Sequence, residues 1–174
     1  MKFNFLALFF TLSLCVIAPG TAEPVGTHVY FSPHGGCTEA VVDALNSAKT
    51  TILVQAYSFT SAPIARALVD ARKRGVEVLV ILDKSQRRER YSSADFVAHE
   101  GIPTWIDEKP AIAHNKVVII DGHIVVTGSF NFTKAAEEKN TENLLVIDDP
   151  ELAVKYTKNW KARQGCSVVY SGKI

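Results

Sequence analysis

In the stretch His114-Asn115-Lys116 an imidazole and an ammonium group occupy alternate residues, and alternate residues of a strand share a face. Further on, Ser129 and Asn131 add a hydroxyl and a carboxamide, and Asp121-Gly122 between the two halves reads as a hairpin turn. With Asp121-Gly122 as the whole turn, Ile120 lies opposite His123. Counting back then sets His114 opposite Ser129, with Cβ atoms roughly 5 Å apart. Asp121 falls on the other side of the strand, where its main role is to form the turn.

Such a set suits a phosphodiester. Lys116 acts as a point charge on the non-bridging oxygens. Ser129 and Asn131 donate hydrogen bonds that strengthen as charge builds in the transition state. A neutral imidazole at His114 attacks phosphorus and forms a covalent phosphohistidine. A second acid must protonate the leaving oxygen, and a base must afterwards activate water. Taken singly, each residue has a plainer reading: a strand-end histidine, an edge-strand lysine that discourages aggregation, or a pair of caps for the next helix. The joint spacing favours chemistry.

The surrounding elements must hold this hairpin. Val29-Tyr30-Phe31 reads as a short strand, Thr38 as a helix N-cap, and Ala40, Val41, Ala44, Leu45 and Ala48 as one helical stripe. Thr51 to Tyr57 and Val76 to Leu82 are apolar, β-branched runs typical of buried strands. Between them Pro63 opens a helix with Ile64, Ala67, Leu68 and Ala71 inward, and Gly75 closes it. Lys84 to Tyr91 is a polar loop, Ala94 to His99 a short helix, and Pro103 to Ile106 an edge strand. Asn131 to Lys139 reads as helical and Asn143 to Ile147 as a strand. Pro150 opens a last helix carrying Leu152, Val154, Tyr156 and Trp160. Strands alternating with helices predict an α/β fold, a mostly buried sheet with helices on both faces. The Asp-Gly hairpin makes that sheet mixed.

The N-terminus has a different character. Lys2, the apolar run Phe5 to Ala18 and the small residues Gly20 and Ala22 form a secretory signal peptide, cleaved after Ala22. The apolar run is shorter than the roughly 20 residues a membrane span needs. Residues 23–174 then form a single domain, periplasmic or secreted. Loss of Lys2 leaves 18 basic against 18 acidic residues, so binding to a polyanion must come from clustered charge. One cluster is Lys84, Arg87, Arg88 and Arg90, opposed only by Glu89. It reads equally well as a phosphate-backbone contact and as a solvated loop. Arg72, Lys73 and Arg74 suit a helix C-terminus. Cys37 and Cys166 remain, and an oxidising compartment favours a disulfide between them, worth about 4 kcal/mol in the chain-entropy model. The sequence has no HExxH, no Cys-x-x-Cys pair and no two-metal carboxylate cluster, so neither a metal nor another cofactor is expected.

The pattern His114-x-Lys116-x4-Asp121, then Gly128-Ser129-x-Asn131, then Glu142 in Thr141-Glu142-Asn143, resembles the HKD signature of the phospholipase D superfamily. The resemblance runs over most of the mature chain and extends to the small, single-motif periplasmic nucleases of that family. It implies that His114 is the nucleophile and that Lys116, Ser129 and Asn131 hold the phosphate. It also implies that Glu142 bonds the imidazole and sets its tautomer, with Asp121 and Gly128 as motif positions. Family members commonly carry two motifs, and this chain carries one, since His28, His34, His99 and His123 lack the lysine. The resemblance therefore implies a homodimer whose second His114 serves as acid and base. The leading function is a sequence-non-specific endonuclease acting on DNA, or also RNA. A phospholipase D or cardiolipin-type phosphodiesterase and a non-catalytic phosphate-binding module are the alternatives.

Overall fold

The computed structural model describes residues 26–173; the expected leader and cleavage site lie outside the described residues. Chain order is β1 (Gly26–Ser32), α1 (Cys37–Ser47), β2 (Thr51–Ala56), α2 (Ala62–Lys73), β3 (Glu77–Asp83), a 3-10 turn (Lys84–Arg87), α3 (Ala94–His99), β4 (Thr104–Asp107), β5 (Lys116–Ile120), β6 (Ile124–Gly128), α4 (Lys134–Glu138), β7 (Glu142–Asp148), α5 (Pro150–Gln164) and β8 (Val168–Tyr170). The strands form one mixed eight-stranded sheet, ordered β1-β7-β6-β5-β2-β3-β4-β8. Only β2–β3 and β3–β4 are parallel, as the crossovers through α2 and α3 require.

Helices cover both faces, unequally. On one face the predicted stripes of α1 and α2 are buried with Val97 of α3, against Ile52, Val54, Val118 and Ile120. On the other face lies α5 alone, with Ala153 and Trp160 against Ile81, Val117, Ile119 and Val125. The indole of Trp160 donates to the Val54 carbonyl at 2.8 Å, and Arg163 grips the fully buried Asp107 through Nε at 2.8 Å. These two contacts fix α5 across the sheet. Val154, expected on its inner face, is exposed, and Ala153 packs inward instead.

Several expectations need correction. β4 is not an edge strand; β8 pairs with it on its outer side, and three residues are too few to show a period. Thr38 does not cap α1. Gly36 holds that position with φ 80°, and the Glu137 carboxylate accepts from the Thr38 N–H at 2.6 Å and from the Gly36 N–H at 3.2 Å. Cys37 and Cys166 are not bonded to each other, and both are free thiols among the described residues. Cys37 opens α1 on one face of the sheet, and Cys166 follows α5 on the other, so the sheet itself separates them. Burial raises the Cys37 thiol to about 11, which leaves it unreactive.

The hairpin register also differs. The turn is Asp121-Gly122-His123, with φ 52° at Asp121 and 73° at Gly122, and Ile120 pairs with Ile124. Relative to a two-residue turn this is a slip of one residue, and a slip of one exchanges the faces. A bulge after β6 follows it. The N–H groups of Ser129 and Phe130 both donate to the Asn143 carbonyl, at 3.1 and 3.2 Å. Gly128 permits this approach: its φ is 151°, and a Cβ there would collide with that same carbonyl oxygen.

Asp121 does more than shape the turn. Its carboxylate accepts from the N–H groups of Lys49 (2.8 Å), Thr50 (2.8 Å) and Thr51 (2.9 Å), and from the Thr50 hydroxyl (2.8 Å). The β5–β6 turn is thereby tied to the α1–β2 loop. Burial alone would raise its pKa; the bonds from Thr51, Thr50 and Lys49 prevail and hold it at about 2 against an ordinary 3.8. A carboxyl depressed in the fold stabilises it above the unfolded pKa, and that stability drains away as pH falls from 3.8 towards 2. Asp121→Ala is expected to cost about 2 kcal/mol at neutral pH. Denaturant unfolding at pH 7 and below pH 3 checks this, because the deficit should shrink at the lower pH.

Candidate active site

The carboxyl ends of the parallel strands β2, β3 and β4 share one rim of the sheet with the start of β5, the end of β6 and the start of β7. That rim is where open α/β sheets bind ligands. Lys116, the first residue of β5, is only 6% exposed. It is a central-strand residue rather than an edge lysine, because β5 pairs with both β2 and β6.

The Lys116 Nζ lies 3.1 Å from both Nδ1 and Nε2 of His114, and donates to the His114 carbonyl at 2.9 Å. The two equal distances place Nζ against the ring edge between the two nitrogens. Tyr57, just past β2, backs the pair. Its ring centroid is 4.6 Å from that of His114 and 5.2 Å from Nζ. The Tyr57 N–H donates to the Asn115 carbonyl at 2.8 Å, which locks the two segments together. Burial lowers the pKa of Lys116, and the nearby Glu142 charge opposes the shift.

A second hydrogen-bonded group lies at the start of β7. Ser129 Oγ donates to Glu142 Oε2 at 2.6 Å and accepts from the Asn143 N–H at 3.0 Å. Asn140 Nδ2 donates to Glu142 Oε1 at 3.0 Å. Ser32 of β1 accepts from the Glu142 N–H at 3.2 Å and donates to the Asn140 carbonyl at 3.0 Å. Glu142 thus bonds Ser129 and Asn140 and makes no hydrogen bond to the imidazole; its link to the His114–Lys116 pair is the charge felt by Lys116. Among the described residues Oδ1 of Asn131 is buried without a hydrogen-bond partner.

Beside Tyr57 opens a cleft of about 590 Å³, lined by Lys84, Arg87, Arg88 and Glu108 together with Ala111 and Ile112. Three of the four expected basic residues line it. Lys84 is bonded to the Pro110 carbonyl at 3.0 Å, and Arg87 is paired with Glu108 at 2.9 Å. Arg90 lies apart, over the ring of Tyr91. Asp83, 2% exposed, joins this wall to the nucleophile. One of its oxygens accepts from the Ser85 N–H at 2.9 Å and the other from the Ala113 N–H at 2.7 Å, next to His114. Burial works to raise its pKa, and these bonds together with Lys84 leave it lowered, so it stays an anion. Sequence reasoning missed Asp83 and Tyr57. Each ends a buried strand, and that position on the rim is the only signal that could have found them.

Comparisons with known proteins agree with this geometry. The family model described as cardiolipin synthase, PLD-like domain, matches residues 41–163. A protein of Rickettsia bellii named phospholipase D is 45% identical over 138 residues, covering 78% of this chain and 69% of that protein. A mitochondrial cardiolipin hydrolase of Chlamydomonas reinhardtii is 32% identical, over 68% of this chain and 53% of its own. Among solved structures, the phospholipase D family member Nuc from Salmonella typhimurium superposes with a TM-score of 0.81 at 43% identity, covering 84% of this chain and 98% of that one. NucT from Helicobacter pylori gives 0.75 at 26% identity, covering 84% and 99%. The fold, the histidine–lysine pair and these matches together establish that the chain belongs to the phospholipase D superfamily, whose members are phosphodiesterases.

Proposed function

We propose that this chain is an endonuclease that hydrolyses phosphodiester bonds of DNA, or also RNA, without a metal and without sequence preference. His114 attacks phosphorus, and the bond to the leaving oxygen breaks as the phosphohistidine forms. Lys116 neutralises the non-bridging oxygens, and Asn131 donates to them. Ser129, bonded to Glu142, is the further phosphate contact. Water then attacks the phosphohistidine and releases the imidazole. The proton for the leaving oxygen comes from a second His114, brought by a twofold-related copy. His123 stands elsewhere, in the far turn, paired with Asp148 at 2.8 Å. Cleavage of the leader after Ala22 delivers the mature chain to the periplasm or the medium.

The observation that carries this reading is the cleft at Tyr57. Lys84, Arg87 and Arg88 line it, and with Glu108 engaged by Arg87 the other two cations are left to meet a polyanion. The structural likeness to Nuc supports it. A phospholipase reading has its own support in the relatives named phospholipase D and cardiolipin hydrolase. Among the described residues, no three His, Cys, Asp or Glu side chains converge as metal ligands. The deciding experiment is plasmid nicking by the mature protein in excess chelator, beside hydrolysis of phosphatidylglycerol and cardiolipin. Nicking that persists in chelator with intact lipid is the expected result. Lipid hydrolysis without nicking transfers the site to the phospholipase reading, and nicking abolished by chelator removes the metal-free scheme.

A further inference from the structure

A second groove, of about 380 Å³, opens between the start of α2 and the residues that lead into α3. Two aromatic side chains face it, Tyr91 at 71% exposure and Phe96 at 42%. Soluble domains rarely leave two such rings together in one cleft without use for them. Arg66 lines the same groove. The Arg90 guanidinium lies over the Tyr91 ring, 5.5 Å from its centroid, and adds a cation at that ring. No carboxylate lines the groove, in contrast to the cleft at Tyr57, where Asp83 and Glu108 offset the cations.

The groove is tied to the active rim. The N–H groups of Thr60, in its wall, and of the neighbouring Ser61 both donate to the Phe132 carbonyl at 2.9 Å, and Phe132 follows Asn131. Ser93, also in the wall, donates its N–H to the Phe59 carbonyl at 2.8 Å. The backbone that sets Tyr57 beside His114 thus continues into the wall of this groove at Thr60.

We infer that the groove of Tyr91, Phe96 and Arg66 binds unpaired bases of a single-stranded nucleic acid flanking the cut. The inference rests on the endonuclease reading and goes beyond it by naming the form of the substrate. Exposed rings stack any base, and arginines beside them hold the backbone, which gives affinity without sequence preference. Bases paired in a duplex have their faces covered by neighbours and gain nothing there. An anionic membrane also attracts aromatic and cationic side chains, but it presses on projecting tips, whereas these rings line a concavity beside Thr60, Ser92 and Ser93.

Fluorescence anisotropy tests this in a His114→Ala background, which leaves the oligonucleotide uncut. The probes are a thymidine strand of about twelve nucleotides and a duplex of equal length. The strand should bind more tightly than the duplex. Adding Tyr91→Ala and Phe96→Ala should raise its Kd roughly 10- to 100-fold, by loss of two stacking platforms, and leave the duplex Kd nearly unchanged. Tyr91→Trp with Phe96→Trp should restore strand binding, which a misfolded protein would not do; thermal unfolding of each variant checks that the fold is kept. Equal weakening of strand and duplex, no weakening at all, or loss instead of binding to phosphatidylglycerol vesicles would overturn the inference. Intact nicking alongside any of these outcomes would leave the endonuclease reading standing. Lipid hydrolysis without nicking in the His114-containing protein would overturn both.

Discussion

His114→Ala is expected to lower phosphodiester hydrolysis by at least about 10⁴-fold, the scale seen when a covalent nucleophile is removed. The imidazole is held by contacts from Lys116 Nζ and the Tyr57 ring, and the substitution removes the attacking atom itself. Lys116 and Asn131 remain, so substrate binding should largely survive. Mixing adds a sharper readout. If each site needs two copies of His114, wild-type protein allowed to exchange subunits with excess His114→Ala should lose activity with the square of its mole fraction. A loss linear in that fraction would mean that one chain holds a complete site, and trapped phosphate on any other side chain would remove His114 from the role.

The second large effect belongs to Lys116→Met, which keeps length and removes charge. The kcat/KM should fall roughly 10²- to 10⁴-fold, as when a preorganised electrostatic contact to the transition state is lost. Stability should not fall with it. Burial penalises the ammonium, which is why its pKa is lowered, and an apolar side chain of similar size escapes that penalty. A melting temperature equal to or above wild type, together with the activity loss, marks Lys116 as a catalytic group; a large drop in melting temperature would mark it as structural. The wild-type activity should also decline on the alkaline side below the ordinary lysine value of 10.5, since a lowered pKa releases the proton earlier. Arginine is a poor substitute, because a planar fork does not fit where a compact ammonium meets the imidazole edge.

How much of the site was legible follows from what kind of information each part needs. The histidine–lysine pair could be read from sequence because its geometry is local: alternate residues at the start of one strand. Ser129 and Glu142 could be named from their spacing to the motif, but not their bond to each other, since that depends on the bulge after Gly128. The turn residues were legible and the register was not, because the third turn residue, His123, is chosen by how β6 packs against β7 and α5. Asp83 shows the limit most clearly. Its sequence neighbours suggest a strand end beside a basic loop, and only the chain returning through Ala113 turns that carboxylate into the link between the loop and the nucleophile.

Hydrophobic periodicity and the strength of the Asp-Gly turn signal determined the layered α/β architecture, the buried strands and the hairpin, because burial of apolar side chains is a property each segment carries by itself. The family signature named the chemistry. Tertiary structure alone decided that α5 covers one face while Cys37 lies on the other, so no disulfide forms; that Lys116 is buried mid-sheet; and that Tyr57, Asp83, Tyr91 and Phe96 gather around one rim. Those outcomes depend on which strands become neighbours, and strand pairing brings together residues whose separation along the chain carries no record of the contact.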